Sequence, residues 1–357
     1  MASLEQLGWN EQFAAAFAEQ RASGRVPGRI VLEHTHIYRV ATGEQEFLAR
    51  VSGRLRHHAT SRPDFPGVGD WVALETVADG DARIHAVLPR FSKFSRRAAG
   101  DVTEEQVVAA NIDVVFLVGG LDHDFNPRRI ERYLVVAWES GATPVIVLNK
   151  SDVVDDPERF ADDVRGSAPG VEVHTVSAKK PETLDALRQH LGLGRTGALL
   201  GSSGVGKSTI VNRLIGQELL KTRDVRITDS RGRHTSTARQ LVVLGDGGVL
   251  IDTPGMRELQ LWDAGQSLEG AFPDIEGLAG SCRFRDCGHV QEPGCAVQAA
   301  VKSGELSAPR FESYAKLAAE REYQQRQLDE RALLEEKRRV KTATRALNKH
   351  LKNKGRS

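Results

Sequence analysis

Residues 201–209 read GSSGVGKST, and a G-x-x-x-x-G-K-[ST] loop is built to cradle phosphates. Gly201, Gly204 and Gly206 let successive backbone N–H groups converge on phosphate oxygens, with Ser202, Ser203 and Val205 completing the loop. Lys207 is expected to reach the β- and γ-phosphates, and the Ser208 hydroxyl to ligate Mg²⁺. Thr209 follows at the start of a helix whose N-terminus adds positive potential. The flanking GALL and TIVNRLI supply the strand and helix this loop needs. Asp252 opens DTPG, which ends at Gly255. An acid at the end of a strand can hold the magnesium through water.

A second group would read the base. Asn149, Lys150 and Asp152 belong to NKSD, placed at the end of the strand-like PVIVLNK. Asp152 can accept from guanine N1–H and the N2 amine, a donor pair that adenine lacks, so such a site penalises adenine. Ser177, Ala178 and Lys179 form SAK at another strand end, where the Ala178 N–H can face the guanine oxygen. Together the motifs point to GTP and GDP rather than ATP. Their order is inverted: NKSD normally follows the phosphate loop, and here it precedes it by about fifty residues.

A third group could hold a metal. Cys282, Cys287, His289 and Cys295 follow C-x4-C-x-H-x5-C. Three thiolates and one imidazole make a closed tetrahedral set suited to one structural Zn²⁺ with no open position for water. The spacing is not a common finger pattern, and three buried cysteines are the alternative.

The elements that must position these groups change along the chain. Residues 3–20 read as an amphipathic helix, with Leu4, Leu7, Phe13 and Phe17 near helical spacing, in an N-terminal extension over 1–27. Over 28–99 the period is two: RIVLEHTHIYRV, EFLARVSGRL, DWVALETV and ARIHAVLP read as strands of a small barrel of the OB-fold kind. Over 100–272 strands alternate with helices, the pattern of a nucleotide-binding α/β domain. IDVVFLVGG, TPVIVLNK, VEVHTVSA and TGALLG read as parallel strands, NPRRIERYLVVAWESG and PETLDALRQHLG as helices, and RQLVVLGDGGVLIDTPG as a hairpin. The cysteine module is expected over 273–308 and a charged helix over 309–357.

The 357 residues are 40% hydrophobic and 27% charged, which suits a soluble globular protein of several domains. The net charge is only +1, but the segment from Lys337 onward carries nine Lys or Arg and no acid, a footprint for an anionic partner. No apolar run reaches the roughly 18 residues of a membrane span. The opening residues carry early acids and no basic segment, so they do not read as a signal peptide. Three clustered cysteines then favour a metal in the cytoplasm over disulfides.

The arrangement NKSD–SAK–GSSGVGKS–DTPG resembles a circularly permuted GTPase. With a barrel before it and a cysteine module after it, the chain from about residue 28 onward is similar to the RsgA (YjeQ) family of small-ribosomal-subunit-dependent GTPases. GVGDWV (67–72), AVLPRFSKFSRR (86–97), GRHTSTA (232–238) and DCGHVQEPGC (286–295) support the likeness. The resemblance implies an OB-fold barrel, a permuted P-loop GTPase domain and a zinc-binding helical module. It also implies a cytoplasmic enzyme, expected to be monomeric, that hydrolyses GTP on the small ribosomal subunit during its late maturation, with contacts to ribosomal RNA.

Some roles stay open at this level. Met256 stands where a Ras-type GTPase has a water-orienting Gln. His234 is therefore the candidate for positioning water, and Thr235 for the γ-phosphate and Mg²⁺, with Thr237 its competitor. Met256 equally suits a regulatory GTP-binding module with negligible hydrolysis, and a metabolic phosphotransferase is a further rival. Arg90, Lys93, Arg96 and Arg97 are expected to meet RNA phosphates, and Tyr38 is one of few aromatics able to stack on a base.

Overall fold

The computed structural model describes residues 1–34, 36–77, 81–97, 105–216, 239–252 and 267–323, together with 325–327 and 329. At the start of the chain the expected single helix is two short ones, α1 (Glu11–Ala16) and α2 (Ala18–Ala22). Gly8 takes a positive φ of 88° that ends the opening turn, and Asn10 Oδ1 then accepts from the Phe13 N–H at 3.0 Å, so a helix starts afresh. Leu7, Phe13 and Phe17 are buried, and Trp9 meets Trp71 edge-on at 4.7 Å. The segment is thus part of the barrel's core.

The barrel strands are β1 (Val26–His34), β2 (Ile37–Ala41), β3 (Glu46–Val51), β4 (Trp71–Thr76) and β5 (Asp81–Val87). Alternate residues point inward: Phe47 and Ala49 from β3, Ala82 and Ile84 from β5. Pairing runs β1–β2–β3–β5–β4 and returns from β4 to β1, closing five strands into an OB-like barrel. Within it only β3–β5 is parallel. The stretch RIVLEHTHIYRV is not one strand, because the chain reverses at His36 (φ 67°) and pairs β2 back on β1. The end of EFLARVSGRL becomes α3 (Gly53–His58), started by Ser52, whose Oγ accepts from the Leu55 N–H at 3.2 Å.

A two-stranded hairpin, β6 (Lys93–Arg97) and β7 (Glu105–Ala110), leads out of the barrel. The central domain follows as β8 (Val114–Gly120), α4 (Pro127–Ser140), β9 (Thr143–Asn149), α5 (Pro157–Ser167), β10 (Glu172–Thr175), α6 (Asp185–Arg188), β11 (Thr196–Leu200), α7 (Lys207–Ile215), β12 (Arg239–Val243) and β13 (Val249–Asp252). Strands β10, β9, β8, β11 and β13 lie in that order and run parallel, and β12 joins them antiparallel. Two of the helices depart from expectation. PETLDALRQHLG forms a 3₁₀ turn (Pro181–Leu184) and one turn of α6 rather than a full helix. The unanticipated α5 starts with Asp156 as its cap and Pro157 in its first turn.

Beyond β12 the sheet does not stop. Gln240 and Arg239 pair with Leu32 and Glu33 of β1, so the central sheet and the barrel form one 11-stranded surface. Later in the chain come α8 (Ser267–Ala271), α9 (Pro273–Ala279), α10 (Ala296–Ser303) and the helical residues 308–323. Residues 337–357, where the basic segment lies, are outside the described residues.

Two buried arginines fasten the flanking parts to the central domain. The Arg29 guanidinium donates to Gly69 O (3.2 Å), Asn111 O (3.0 Å), Thr196 Oγ1 (2.9 Å) and Leu7 O. It also lies 5.7 Å from the Trp71 ring centroid. Four stretches, the N-terminal segment, the barrel, the β7–β8 link and β11, therefore share one donor group. Arg310 does the same at the other end. It grips both carboxylate oxygens of Asp274 at 2.6 Å and reaches Ser167 O (2.7 Å) and Glu131 Oε1 (3.3 Å). Arg29→Ala would leave several buried carbonyls without a donor, at about 1–3 kcal/mol each. We expect this variant to unfold at least 5 °C lower in calorimetry, and an unchanged midpoint would show that Arg29 is not a structural tie.

Candidate functional site

The parallel strands end on one side of the sheet, and every described member of the nucleotide motifs sits at those ends. The phosphate loop joins β11 to α7. Gly204 (φ 83°) and Gly206 (φ 97°) take conformations open mainly to glycine. A Cβ on Gly206 would lie 2.3 Å from Asn149 Nδ2, and one on Gly201 would lie 2.3 Å from Val118 O. At these two positions the loop is packed too closely against β8 and β9 for a side chain. Lys207 Nζ donates to Gly201 O (2.6 Å) and Ser202 O (2.5 Å), so the amine lies over the loop. Ser208 and Thr209 are half-buried in the first turn of α7.

Asn149, fully buried at the end of β9, connects all three loops. Its Nδ2 donates to Val205 O at 2.7 Å, and its Oδ1 accepts from Ala178 N at 3.0 Å. Lys150 follows with φ 66°, which turns the chain sharply, and its Nζ donates to Asp122 Oδ2 at 2.5 Å. Asp152 accepts from Lys179 Nζ (2.8 Å) and Ser177 Oγ (2.7 Å). The lysine and then the serine hold its carboxyl below the ordinary range, so it is an anionic acceptor at neutral pH. NKSD and SAK are thereby joined into one surface at the strand ends.

Sequence reasoning missed the loop after β8. Ser202 Oγ donates to Asp124 Oδ2 at 2.7 Å, and Arg129 Nη1 reaches Asp124 Oδ1 (2.6 Å) and Ser202 Oγ (2.5 Å). Burial pushes the Asp122 carboxyl up, but the hydrogen bond and charge of Lys150 together with backbone N–H groups bring it below its ordinary range. The available signal was the pair of acids just past a buried parallel strand, where ligands of open α/β sheets bind.

Asp252 ends β13 next to β11, which puts its carboxylate and the Ser208 hydroxyl at the same edge of the sheet. Two hard oxygen donors of this kind fit Mg²⁺. His234, Thr235, Gly255 and Met256 lie outside the described residues.

The four metal-ligating side chains also meet. The ligand atoms of Cys282, Cys287, His289 and Cys295 all lie within 4.8 Å of one another. Cys282 Sγ is 3.6 Å and Cys295 Sγ 3.4 Å from His289 Nδ1, and the two sulfurs are 3.9 Å apart. A tetrahedral zinc with bonds of about 2.3 Å to sulfur and 2.0–2.1 Å to nitrogen spaces such ligands at about 3.6 and 3.8 Å. The cluster therefore fits a metal ion. His289 adopts φ 57° to point inward, and Gln298 Nε2 donates to its carbonyl at 2.7 Å.

Two expectations for RNA contact are corrected. Arg90 points inward, donating to both Asp70 oxygens (2.8 and 2.7 Å), Pro63 O (2.7 Å) and Phe65 O (2.9 Å), so it braces the barrel exit. Tyr38 is buried in the barrel and cannot stack on a base. Lys93 pairs with Glu105 at 2.8 Å and Arg96 Nε donates to Gln106 at 3.2 Å, although Lys93 remains exposed.

Comparison with known proteins agrees with this geometry. Residues 87–262 match the family described as RsgA GTPase. The chain is 47% identical over 337 residues to a protein of Opitutus terrae named small ribosomal subunit biogenesis GTPase RsgA, covering 92% of each. The crystal structure of YjeQ from Thermotoga maritima superposes with a TM-score of 0.62 at 28% identity, over 83% of this chain and 98% of that one. YloQ, described as a circularly permuted GTPase, gives 0.60 at 25% identity over 84% and 95%.

With Asp152 as the expected guanine acceptor, an Asp152→Asn substitution would place a donor where guanine also donates. It should weaken GTP binding by about tenfold or more and favour xanthosine triphosphate. Unchanged GTP affinity in a nucleotide-displacement titration would show that this carboxylate does not read the base.

Proposed function

The chain belongs to the RsgA GTPase family, a family of GTP hydrolases, and from that premise we propose that it acts on the small ribosomal subunit in late maturation, with turnover stimulated by the subunit. The observation that supports the reading is the junction at Asn149, which joins the NKSD and SAK segments to the phosphate loop in a chain related over most of its length to subunit-biogenesis GTPases.

In this reading GTP lies across the strand ends. Asp152 receives the guanine N1–H and N2 amine, and the Ala178 N–H meets the guanine oxygen. Lys150, Ser177 and Lys179 hold that surface in place. Gly201, Ser202, Ser203, Gly204, Val205 and Gly206 present backbone N–H groups to the phosphates, Lys207 meets the β- and γ-phosphates, and Thr209 sits beside them. Ser208, Thr235 and Asp252 hold Mg²⁺, which neutralises charge developing on the phosphates. Gly255 belongs to the segment that responds to the γ-phosphate. Met256 carries no group that can orient water, so that task falls to His234.

One Zn²⁺ held by Cys282, Cys287, His289 and Cys295 is structural, since four protein ligands leave no reactive position. The ascribed parts are an N-terminal extension (1–27), barrel (28–99), GTPase domain (100–272), zinc module (273–308) and basic helix (309–357). The barrel, zinc module and basic helix meet ribosomal RNA through its backbone and shape. Among the described residues no helix is long and apolar enough to cross a membrane, and the proposed setting is the cytoplasm, with the protein a monomer.

Phosphate release measured with and without small subunits tests this directly. Subunits should raise turnover, and His234→Ala should lower the stimulated kcat by about 10²–10⁴-fold while leaving GTP Kd nearly unchanged. Absence of stimulation under any salt condition would overturn the ribosomal reading. Stimulation that survives the substitution within a few-fold would remove His234 from the chemistry.

A further inference from the structure

A second group of metal-ligating side chains comes together away from the nucleotide motifs and the cysteine cluster. Glu172 and His174 share one face of β10, an edge strand of the sheet, and His190 follows α6. His174 Nε2 lies 3.2 Å from His190 Nε2, and Glu172 Oε2 lies 3.5 Å from each nitrogen.

The two ring nitrogens are within hydrogen-bond distance of each other, so it is the position of the carboxylate that separates two arrangements. A hydrogen-bonded trio would bring the carboxylate to about 2.7–3.2 Å from at least one ring N–H. At 3.5 Å from both, Glu172 Oε2 makes a good hydrogen bond to neither. A tetrahedral ion with bonds of about 2.0–2.1 Å instead spaces its nitrogen and oxygen ligands about 3.3–3.4 Å apart. The three atoms therefore stand at three corners of such a shell.

The surroundings suit an ion as well. The His190 ring packs edge-on against buried Phe116, with centroids 6.0 Å apart, which restrains its orientation. The two histidine rings cross at 63°, so they approach through their nitrogens rather than face to face. Both histidine side chains are partly shielded and Glu172 is exposed, so solvent can supply the remaining ligand.

We propose that Glu172, His174 and His190 form a second metal site for a divalent transition ion of the zinc type. Imidazole and carboxylate donors favour such ions over magnesium or calcium, which prefer oxygen alone. An ion here ties the edge strand to residue 190 and closes the span that carries Ser177, Ala178 and Lys179. Any effect on nucleotide binding rests on the reading of those three residues as a base contact, whereas ion binding does not.

The test is a metal count on the full-length protein, equilibrated with buffered Zn²⁺ and desalted, beside the double variant His174→Gln, His190→Gln. The unsubstituted protein should retain one equivalent more than the variant, whatever the thiolate cluster holds. In the unsubstituted protein Zn²⁺ should also protect both histidines from diethyl pyrocarbonate, a readout that does not require the variant to fold. Equal metal content in the two proteins, or histidines that Zn²⁺ leaves unprotected, overturns the site.

Discussion

The side-chain amide of Asn149 is the contact on which the nucleotide site depends. Three loops from the ends of β9, β10 and β11 have to meet, and each alone is a short irregular stretch over a sheet edge. One buried amide satisfies a carbonyl of the phosphate loop and an N–H of the SAK loop at the same time. Leaving either partner unpaired in a buried position would cost about 1–3 kcal/mol, so the loops are held in register. Gly206 belongs to the same constraint, because any Cβ there would occupy the place of the Asn149 nitrogen. The Asp152 and Lys150 side chains are then positioned by ion pairs, the first with Lys179 and the second with Asp122.

The permuted order decides what the site is attached to. The strand that carries Asp252 lies between β11 and β12, and β12 is hydrogen-bonded to the first barrel strand. A change at the Asp252 end of β13 is therefore one strand away from the barrel through backbone hydrogen bonds. In chain order the residues after Asp252 lead to α8 and the Cys₃His cluster. On the proposed reading the switch has a short mechanical path to both flanking parts, which suits a protein whose output is domain movement. Arg29 and Arg310 each join several stretches of the chain through one guanidinium.

Much of this was legible in the sequence because the informative signals were local. The glycine spacing of 201–206, the run PVIVLNK and the four metal-ligating residues each specify their own surroundings. The reversal of the chain at His36 was hidden, since a non-glycine residue with positive φ leaves no mark in hydrophobic periodicity. So was the break near Gly8, where apolar residues at helical spacing are divided between an opening turn and the short helices that follow it. Long-range pairs were the hardest to see: Arg90 reads as a surface cation until Asp70 and two carbonyls are brought to it by the closed barrel. The Asp124–Ser202–Arg129 contacts likewise join residues far apart in sequence.

Nucleotide affinity after removal of the Asn149 amide tests the central interaction most directly. The measurement is the Kd for GDP of Asn149→Ala beside that of the unsubstituted protein, with circular dichroism to check that both are folded. Loss of two buried hydrogen bonds should weaken binding by about tenfold to several hundredfold, since about 1.4 kcal/mol is a factor of ten. A folded variant that binds GDP as tightly as the original would contradict the assembly of the site through this residue.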